Sequence, residues 1–280
     1  MLAPNASIYS IPQPLSGSSQ ASIINFDDAN GLVGIAELVP DVFIVAGGQF
    51  NGLAAPVPGS MTVWELDLGK EESATRVITK IPESGFLNGV TSISGCSSAV
   101  LVADTGLSLV WRVDTATGQY EKAAEVPEML PVANATMQLG VNGVHVRGGY
   151  LYFDNSNRGA IYRLPIDKRG IAVEGAEAEL VAQLANGANM DDFLIDEEGR
   201  FWAATNSGNS VEVVDGDSPS VIVAGSLTQL TVAGDTALAL GRTKEDKNIV
   251  YVVTGGALAA PVNGTVTEPA KVVAIDKTGF

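Results

Sequence analysis

Five polar residues stand at the start of apolar, β-type segments that recur along the chain, and their side chains suit two kinds of chemistry. They are Asn30, Asn88, Asn142, Asp191 and Thr236. Amide and carboxylate oxygens are the ligands of hard cations, and amide N–H groups donate hydrogen bonds to developing oxyanions. Asp191 and its neighbour Asp192 supply the carboxylates, so a cation held here would be held weakly. The three asparagines lie in Asn-Gly dipeptides, which also begin strands through turn geometry alone.

Few residues of this chain can act as nucleophiles or as acid–base groups. Cys96 is the sole cysteine and His145 the sole histidine, and the sequence places them in different repeats, which disfavours a thiol–imidazole pair. His145 is a candidate acid–base group near neutral pH, or a packed and hydrogen-bonded side chain. Arg242 is a candidate hydrogen-bond donor, or the partner of a carboxylate. The candidate catalytic residues are Asn88, Asn142, His145, Asp191 and Arg242.

Apolar and amide side chains adjoin these positions and would line a small-molecule site. Met137 and Met190 each precede a polar position and offer a flexible apolar wall or ordinary loop packing. Asp104, in the sequence Ala-Asp-Thr, is also interpretable as a turn cap. The candidate substrate-binding residues are Asn30, Gln49, Phe86, Asp104, Met137, Asn155, Met190, Phe193 and Thr236, and the loops that carry them also contain Asn157 and Asn206.

The elements that would position these residues repeat along the sequence. One strand pattern recurs six times at intervals of 47 to 61 residues, as IYSI, VWELD, VWRVD, IYRL, VEVVD and VVAID, which begin at residues 8, 63, 110, 161, 211 and 272. Two apolar segments precede each of five copies. Gly-rich hairpin turns such as 147–149 connect the first of these segments to the second. No segment shows sustained helical periodicity. Four strands per period of about 50 residues predict an all-β propeller.

The strand count predicts a single six-bladed propeller domain over residues 1–280 with four-stranded blades. The first blade, about 1–28, is incomplete, and five further blades occupy about 29–280. The recurring pattern is the third strand of each blade, and it occurs six times. First, second and fourth strands occur five times each. Either about forty N-terminal residues are missing, or the first strands are recruited differently, conceivably into a five-bladed closure. If the first blade is truncated, open strand edges would favour self-pairing and a homodimer.

Composition excludes several classes of partner. The net charge is −16, from 16 basic and 32 acidic residues, so a nucleic acid or an anionic membrane would be repelled. Apolar runs fall short of the roughly 20 residues of a membrane span, and residues 1–4 lack the charged and apolar regions of a signal peptide. We therefore expect a soluble chain without a signal peptide and leave its compartment open.

Several motifs resemble the six-bladed propellers of the regucalcin/gluconolactonase superfamily, and more closely its fungal secondary-metabolite branch, which includes the hetero-Diels–Alderases of tropolone sesquiterpenoid pathways. The motifs are FLNGV at 86–90, VLVADT at 100–105, VWRVD at 110–114, NGV at 142–144, YLYF at 150–153, DDFLID at 191–196, LGRT at 240–243 and VYVVT at 250–254.

In the lactonases of that superfamily a Glu, Asn residues and an Asp hold a divalent metal. Asn88, Asn142 and Asp191 match the Asn and Asp positions, whereas the Glu has no match, because Glu37 lies inside the neighbouring blade. The resemblance therefore implies a cyclase without a cofactor, acting on an apolar, terpenoid or polyketide-like small molecule. A metal-dependent lactonase or ester hydrolase and a non-catalytic binding scaffold are the alternatives.

Overall fold

Alternating apolar and polar residues build this chain into antiparallel β-strands joined by tight turns. The computed structural model describes residues 6–12, 22–52, 55–70, 74–185 and 188–280. The first four residues, for which we expect no signal peptide, lie outside this description. No helix in the described ranges is long and apolar enough to cross a membrane. The chain divides into two compact units, residues 1–125 with 166–171, and residues 126–165 with 172–280.

The first unit contains three antiparallel sheets, with strand orders β1-β2, β3-β4-β5-β6 and β10-β9-β8-β7. Its strands are β1 (Ser7–Ser10), β2 (Ser22–Asn25), β3 (Gly31–Val39), β4 (Val42–Gly48), β5 (Thr62–Asp67), β6 (Ala74–Lys80), β7 (Leu87–Ser92), β8 (Ala99–Asp104), β9 (Leu109–Asp114) and β10 (Tyr120–Ala124). Between the two larger sheets lies a buried apolar cluster that includes Ile44, Val102 and Trp111.

The second unit contains two sheets of four strands and one of three, with orders β11-β12-β13-β14, β15-β16-β17-β18 and β19-β20-β21. Its strands are β11 (Val141–Arg147), β12 (Tyr150–Asn155), β13 (Ala160–Pro165), β14 (Glu179–Gln183), β15 (Asp192–Ile195), β16 (Phe201–Ala204), β17 (Ser210–Val214), β18 (Val221–Gly225), β19 (Asp235–Leu240), β20 (Ile249–Thr254) and β21 (Lys271–Asp276).

Helical structure is confined to single 3₁₀ turns in the described residues. They are Pro127–Met129, Ser156–Arg158, Asn206–Gly208 and Lys277–Gly279. Two of them, Ser156–Arg158 and Asn206–Gly208, connect a second strand to a third strand in the second unit and carry polar residues discussed below.

The sheets correct the predicted blade count. Five sheets have the up-and-down order of propeller blades, four with four strands and one with three, whereas β1 and β2 form a sheet of two strands. Six four-stranded blades were expected, with the first incomplete. The all-β propeller class is confirmed and the number six is not, because the first and second strands of a further blade have no counterpart in the described sequence. Self-pairing through open edges, such as that of β21, stays a prediction.

Candidate functional site

Three neighbouring strands of the second unit begin with polar residues and thereby gather the candidate site. Strand β11 packs beside β15, and β15 beside β19. Asn142 lies at the start of β11, Asp191 immediately before β15, and Asp235 at the start of β19. The ladder between β11 and β12 has an irregularity between Val141 and Val144, and a local bulge of this kind re-aims side chains next to functional sites.

Asp191 is held between two asparagine amides. Asn142 Nδ2 donates to Asp191 Oδ1 at 3.0 Å and to Ser156 Oγ at 2.9 Å. Asn206 Nδ2 donates to Asp191 Oδ2 at 2.6 Å. Burial raises the pKa of Asp191 to about 6, against the lowering effect of the two amide hydrogen bonds. The carboxyl group is therefore mostly ionised at pH 7. Two uncharged amide donors fix the orientation of the carboxylate.

A second carboxyl group, that of Asp154, is fully buried near Asp192. Its Oδ1 accepts from the Gly143 backbone N–H, and its Oδ2 has no hydrogen-bond partner among the described atoms. Burial raises the pKa of Asp154 well above the ordinary range, and the charges of Asp192 and Asp191 raise it further. A Cβ on Gly143 would lie 2.3 Å from Asp192 Oδ1 and 2.8 Å from Asp154 Oδ1, so glycine is required for this close approach.

Asp235 is the third buried acid of the site. Its Oδ2 accepts from the Thr205 backbone N–H at 2.8 Å, and its Oδ1 has no partner within the described part of the chain. Burial, with a contribution from the Asp191 charge, raises the pKa of Asp235 to about 8. The predicted residue Thr236 falls in a register shift between Asp235 and Ala237, and its hydroxyl donates to Val253 O at 3.3 Å.

His145 is packed and hydrogen-bonded within β11. Its Nε2 lies 2.5 Å from Phe193 O and 3.6 Å from Asp192 Oδ1, and its ring meets the Phe193 ring edge-to-face at 4.8 Å. A carbonyl oxygen only accepts, so Nε2 carries the proton of the neutral imidazole. The prediction of a packed, hydrogen-bonded histidine is thus met by the geometry, and its acid–base role stays a prediction.

The other predicted residues of the second unit lie away from Asp191 or pack in the core. They are Asn155, Met137, Met190 and Phe193. Asn155 is buried and donates from Nδ2 to Glu128 O and Leu130 O, both at 2.8 Å, which fixes the loop before β11. Met190 belongs to the buried core together with Phe193, so it provides packing rather than a mobile wall. Met137 is 49% exposed.

Arg242 does not join this group. It is exposed in the turn after β19, whereas Asp235 begins that strand. A strand of this length separates its two ends by about 17 Å, so Arg242 lies at the other end of β19 from Asp235, and its role as a hydrogen-bond donor stays a prediction. Its sequence neighbour Gly241 directly follows the end of β19 at Leu240.

The predicted residues of the first unit mostly satisfy backbone groups. Asn30 pairs with the Phe50 backbone in both directions, at 2.9 and 2.7 Å, and Gln49 Nε2 donates to Asp28 O at 3.1 Å. The Phe86 ring stands edge-to-face on Phe50 at 5.8 Å.

Asn88 and Asp104 lie at β7 and β8 of the same unit. Asn88 Nδ2 donates to Thr105 Oγ1 at 3.4 Å. The buried carboxylate of Asp104 accepts from three backbone N–H groups and from Trp111 Nε1, at 3.0 to 3.3 Å. This saturation supports the turn-cap interpretation of Asp104.

Comparison with known proteins gives relatives that carry the name of an activity. No family model matches the chain. A protein of Phoma sp, provisionally named a hetero-Diels-Alderase, is 28% identical over 92% of this chain and 79% of its own. Its counterpart asR5 of Sarocladium schorii, named in the same provisional way, is 27% identical over 99% of this chain and 77% of its own.

Solved structures share the fold at low sequence identity. The nidogen/laminin complex contains a chain that matches with a TM-score of 0.62 and 12% identity over 96% of each chain. Regucalcin of Agrobacterium tumefaciens, a calcium-binding protein, matches with a TM-score of 0.54 and 16% identity over 90% of this chain and 82% of its own. At such identities the likeness shows the propeller fold alone.

The donors around Asp191 fit a divalent metal poorly. Both carboxylate oxygens receive amide N–H groups, so the asparagines present nitrogen where a hard cation needs oxygen. The described residues contain no cluster of three or more His, Cys, Asp or Glu side chains with metal-binding spacing. Asn88, the third residue of the matched set, belongs to the first unit and contacts Thr105. The second unit therefore offers a hydrogen-bonding site rather than a preformed oxygen cage.

Proposed function

We propose that this protein is a small-molecule cyclase of fungal secondary metabolism that catalyses a hetero-Diels–Alder cycloaddition. The observation that carries the proposal is the pair of hetero-Diels-Alderase relatives, which match 92% and 99% of this chain at 28% and 27% identity. The substrate class we propose is a tropolone quinone methide together with a sesquiterpene alkene. Such a reaction forms one C–C and one C–O bond in a concerted step and transfers no proton.

The Asn206–Asp191–Asn142 network suits the charge changes of that step. An electron-poor heterodiene gains negative charge on its oxygen as the bonds form, and the alkene carbon becomes positive. Asn206 uses one amide hydrogen on Asp191, and the other meets no acceptor among the described residues. In our proposal that hydrogen binds the heterodiene oxygen, and the Asp191 carboxylate faces the alkene carbon. Donors and charges fixed before the reaction stabilise its transition state without reorganisation.

The experiment compares cycloaddition rates with a generated quinone methide and an alkene, with and without the protein, by chiral chromatography and mass spectrometry. We expect acceleration and a single stereoisomer. Asn206→Leu should lower kcat by about tenfold, since one hydrogen bond to the transition state is lost. Asn189→Ala removes an exposed amide that contacts Ser207 and serves as the matched control. A racemic product formed at the uncatalysed rate would contradict the proposal.

A metal-dependent hydrolase is the second candidate, and it rests only on the adjacency of two matched residues, since the amide donors to Asp191 oppose a cation there. Asn142 and Asp191, which match the lactonase pattern, touch directly. Millimolar Ca²⁺, Mg²⁺ or Zn²⁺ should then raise the melting temperature by several degrees, because a ligand of the native state stabilises it by mass action. An unchanged melting temperature counts against this candidate and leaves the cyclase.

A further inference from the structure

A surface cavity of about 270 Å³, open to solvent, lies in the second unit at the far ends of the strands that carry the candidate site. Its wall includes Arg147 at the end of β11, Ile195 at the end of β15 and Leu240 at the end of β19. Asn142 and Asp235 begin two of these strands, about 17 Å away at the rise of a β-strand. The cavity is therefore separate from the network around Asp191.

The apolar part of the wall consists of Val146, Ile195 and Leu240, each partly exposed. Pockets for small ligands combine such an apolar lining with a few oriented polar groups. The volume is slightly below that of drug-sized sites, so it suits a molecule with a single ring.

Arg147 supplies an oriented positive charge. Its Nη1 donates to the Asp196 backbone oxygen at 2.7 Å, and no other protein acceptor among the described residues takes its remaining N–H groups. The Asp196 carboxylate does not compete for them. It already accepts from the Arg200 backbone N–H, Arg200 Nε and Trp202 Nε1, at 2.7 to 2.9 Å. Arg147 is thus held in place with donors left for an anion.

His145 supplies an acceptor in the same wall. Because Nε2 is engaged with Phe193 O, the neutral ring carries its lone pair on Nδ1, and no described residue donates to that atom. The side chain is 36% exposed. A ligand hydroxyl can donate to Nδ1.

Glu197 limits the charge of the ligand. Its exposed side chain lines the cavity and forms no ion pair among the described residues. Arg147 attracts one anionic group of a ligand, and the negative charge of Glu197 disfavours a second one.

We propose that this cavity binds a small monoanionic acid with a single planar ring, a carboxylate or an acidic enol, that also bears a hydroxyl group. The ring packs on Val146, Ile195 and Leu240, the anionic oxygen pairs with Arg147, and the hydroxyl donates to His145 Nδ1. This site is independent of the proposed cyclase function, because it uses none of the residues assigned to the cycloaddition.

Calorimetric titration with three probes of one shape tests the site. They are 3-hydroxybenzoate, the neutral 3-hydroxybenzamide and the dianion isophthalate. We expect 3-hydroxybenzoate to bind about tenfold more tightly than either of the other two. Equal affinity for all three, or no binding of 3-hydroxybenzoate at millimolar concentration, would overturn the proposal.

Two arginine variants locate the binding. Arg147→Met keeps the apolar stem and should weaken 3-hydroxybenzoate binding by about tenfold. Arg158→Met removes an exposed arginine of the same unit that lies outside the cavity wall and should leave the affinity unchanged. Circular dichroism confirms that both variants are folded. Equal losses in both variants would mean that general charge attraction, and not this cavity, binds the probe.

Discussion

Replacing Asp235 with asparagine removes an ionisable group from the fully buried end of β19. An asparagine has the same shape, and its amide oxygen can accept from Thr205 N–H as Asp235 Oδ2 does now. The amide cannot ionise, so the variant removes one titration and little else. At pH 4 we expect wild type and Asp235→Asn to differ by no more than about 1 kcal/mol in free energy of unfolding.

The magnitude follows from the raised pKa. Burial raises the pKa of Asp235 to about 8 in the folded state, against about 3.9 for the unfolded chain. Between these values the native state binds one proton more, so stability falls as pH rises, by about 1.4 kcal/mol per pH unit. From pH 4 to pH 7 the loss amounts to about 4 kcal/mol. At pH 7 the variant should be more stable than wild type by an amount of that order.

Urea denaturation at pH 4, 5, 6, 7 and 8 measures this difference. The slope of unfolding free energy against pH should be less negative in Asp235→Asn by about one proton. Asp217→Asn, which alters an exposed carboxyl group after β17, is the matched control and should keep the wild-type slope. Identical slopes in wild type and Asp235→Asn would refute the reasoning, because they would show that Asp235 ionises at the same pH in both states.

Three further substitutions have effects that follow from the geometry. Asp104→Ala leaves four N–H donors, one of them the buried Trp111 indole, without their acceptor and should lower the free energy of unfolding by about 3–5 kcal/mol in urea denaturation. Gly143→Ala places a methyl group 2.3 Å from Asp192 Oδ1 and should cost about 1–3 kcal/mol, seen as a lower melting temperature by circular dichroism. Trp202→Phe removes the indole donor to Asp196 and should lower the free energy of unfolding by about 1–3 kcal/mol in urea denaturation. For each of the three variants, unchanged stability would contradict the contact that the substitution tests.

Much of the fold could be predicted because strands leave a local signal. The recurring pattern expected at 110–114 is β9 (Leu109–Asp114), and its last copy, expected at 272–276, is β21 (Lys271–Asp276). Local pattern fixes a strand, whereas the number of blades depends on partners that a pattern does not contain.

The candidate site was predicted only where a residue opens a strand. Asn142 and Asp191 were placed together on this argument, and Asn206 through its loop, and the three are in contact. Asp154 was missed, because an Asp at the end of a second strand resembles a turn cap, as Asp104 proved to be. Asp235 was missed by one residue, because the register shift at β19 exchanges it with Thr236. Burial and bulges of this kind arise from tertiary packing and leave little trace in sequence.

Trp202, which donates a hydrogen bond to Asp196, can report on the second unit through its intrinsic fluorescence. The chain has three tryptophans, and Trp202 is the only one in residues 126–165 and 172–280. Its indole N–H is bound to a carboxylate whose residue also lines the cavity at the end of β15. In a Trp64→Phe, Trp111→Phe background, intrinsic emission would come from this indole alone. A molecule entering the cavity would change the field at the indole and hence the emission maximum, so the protein contains its own label for that site.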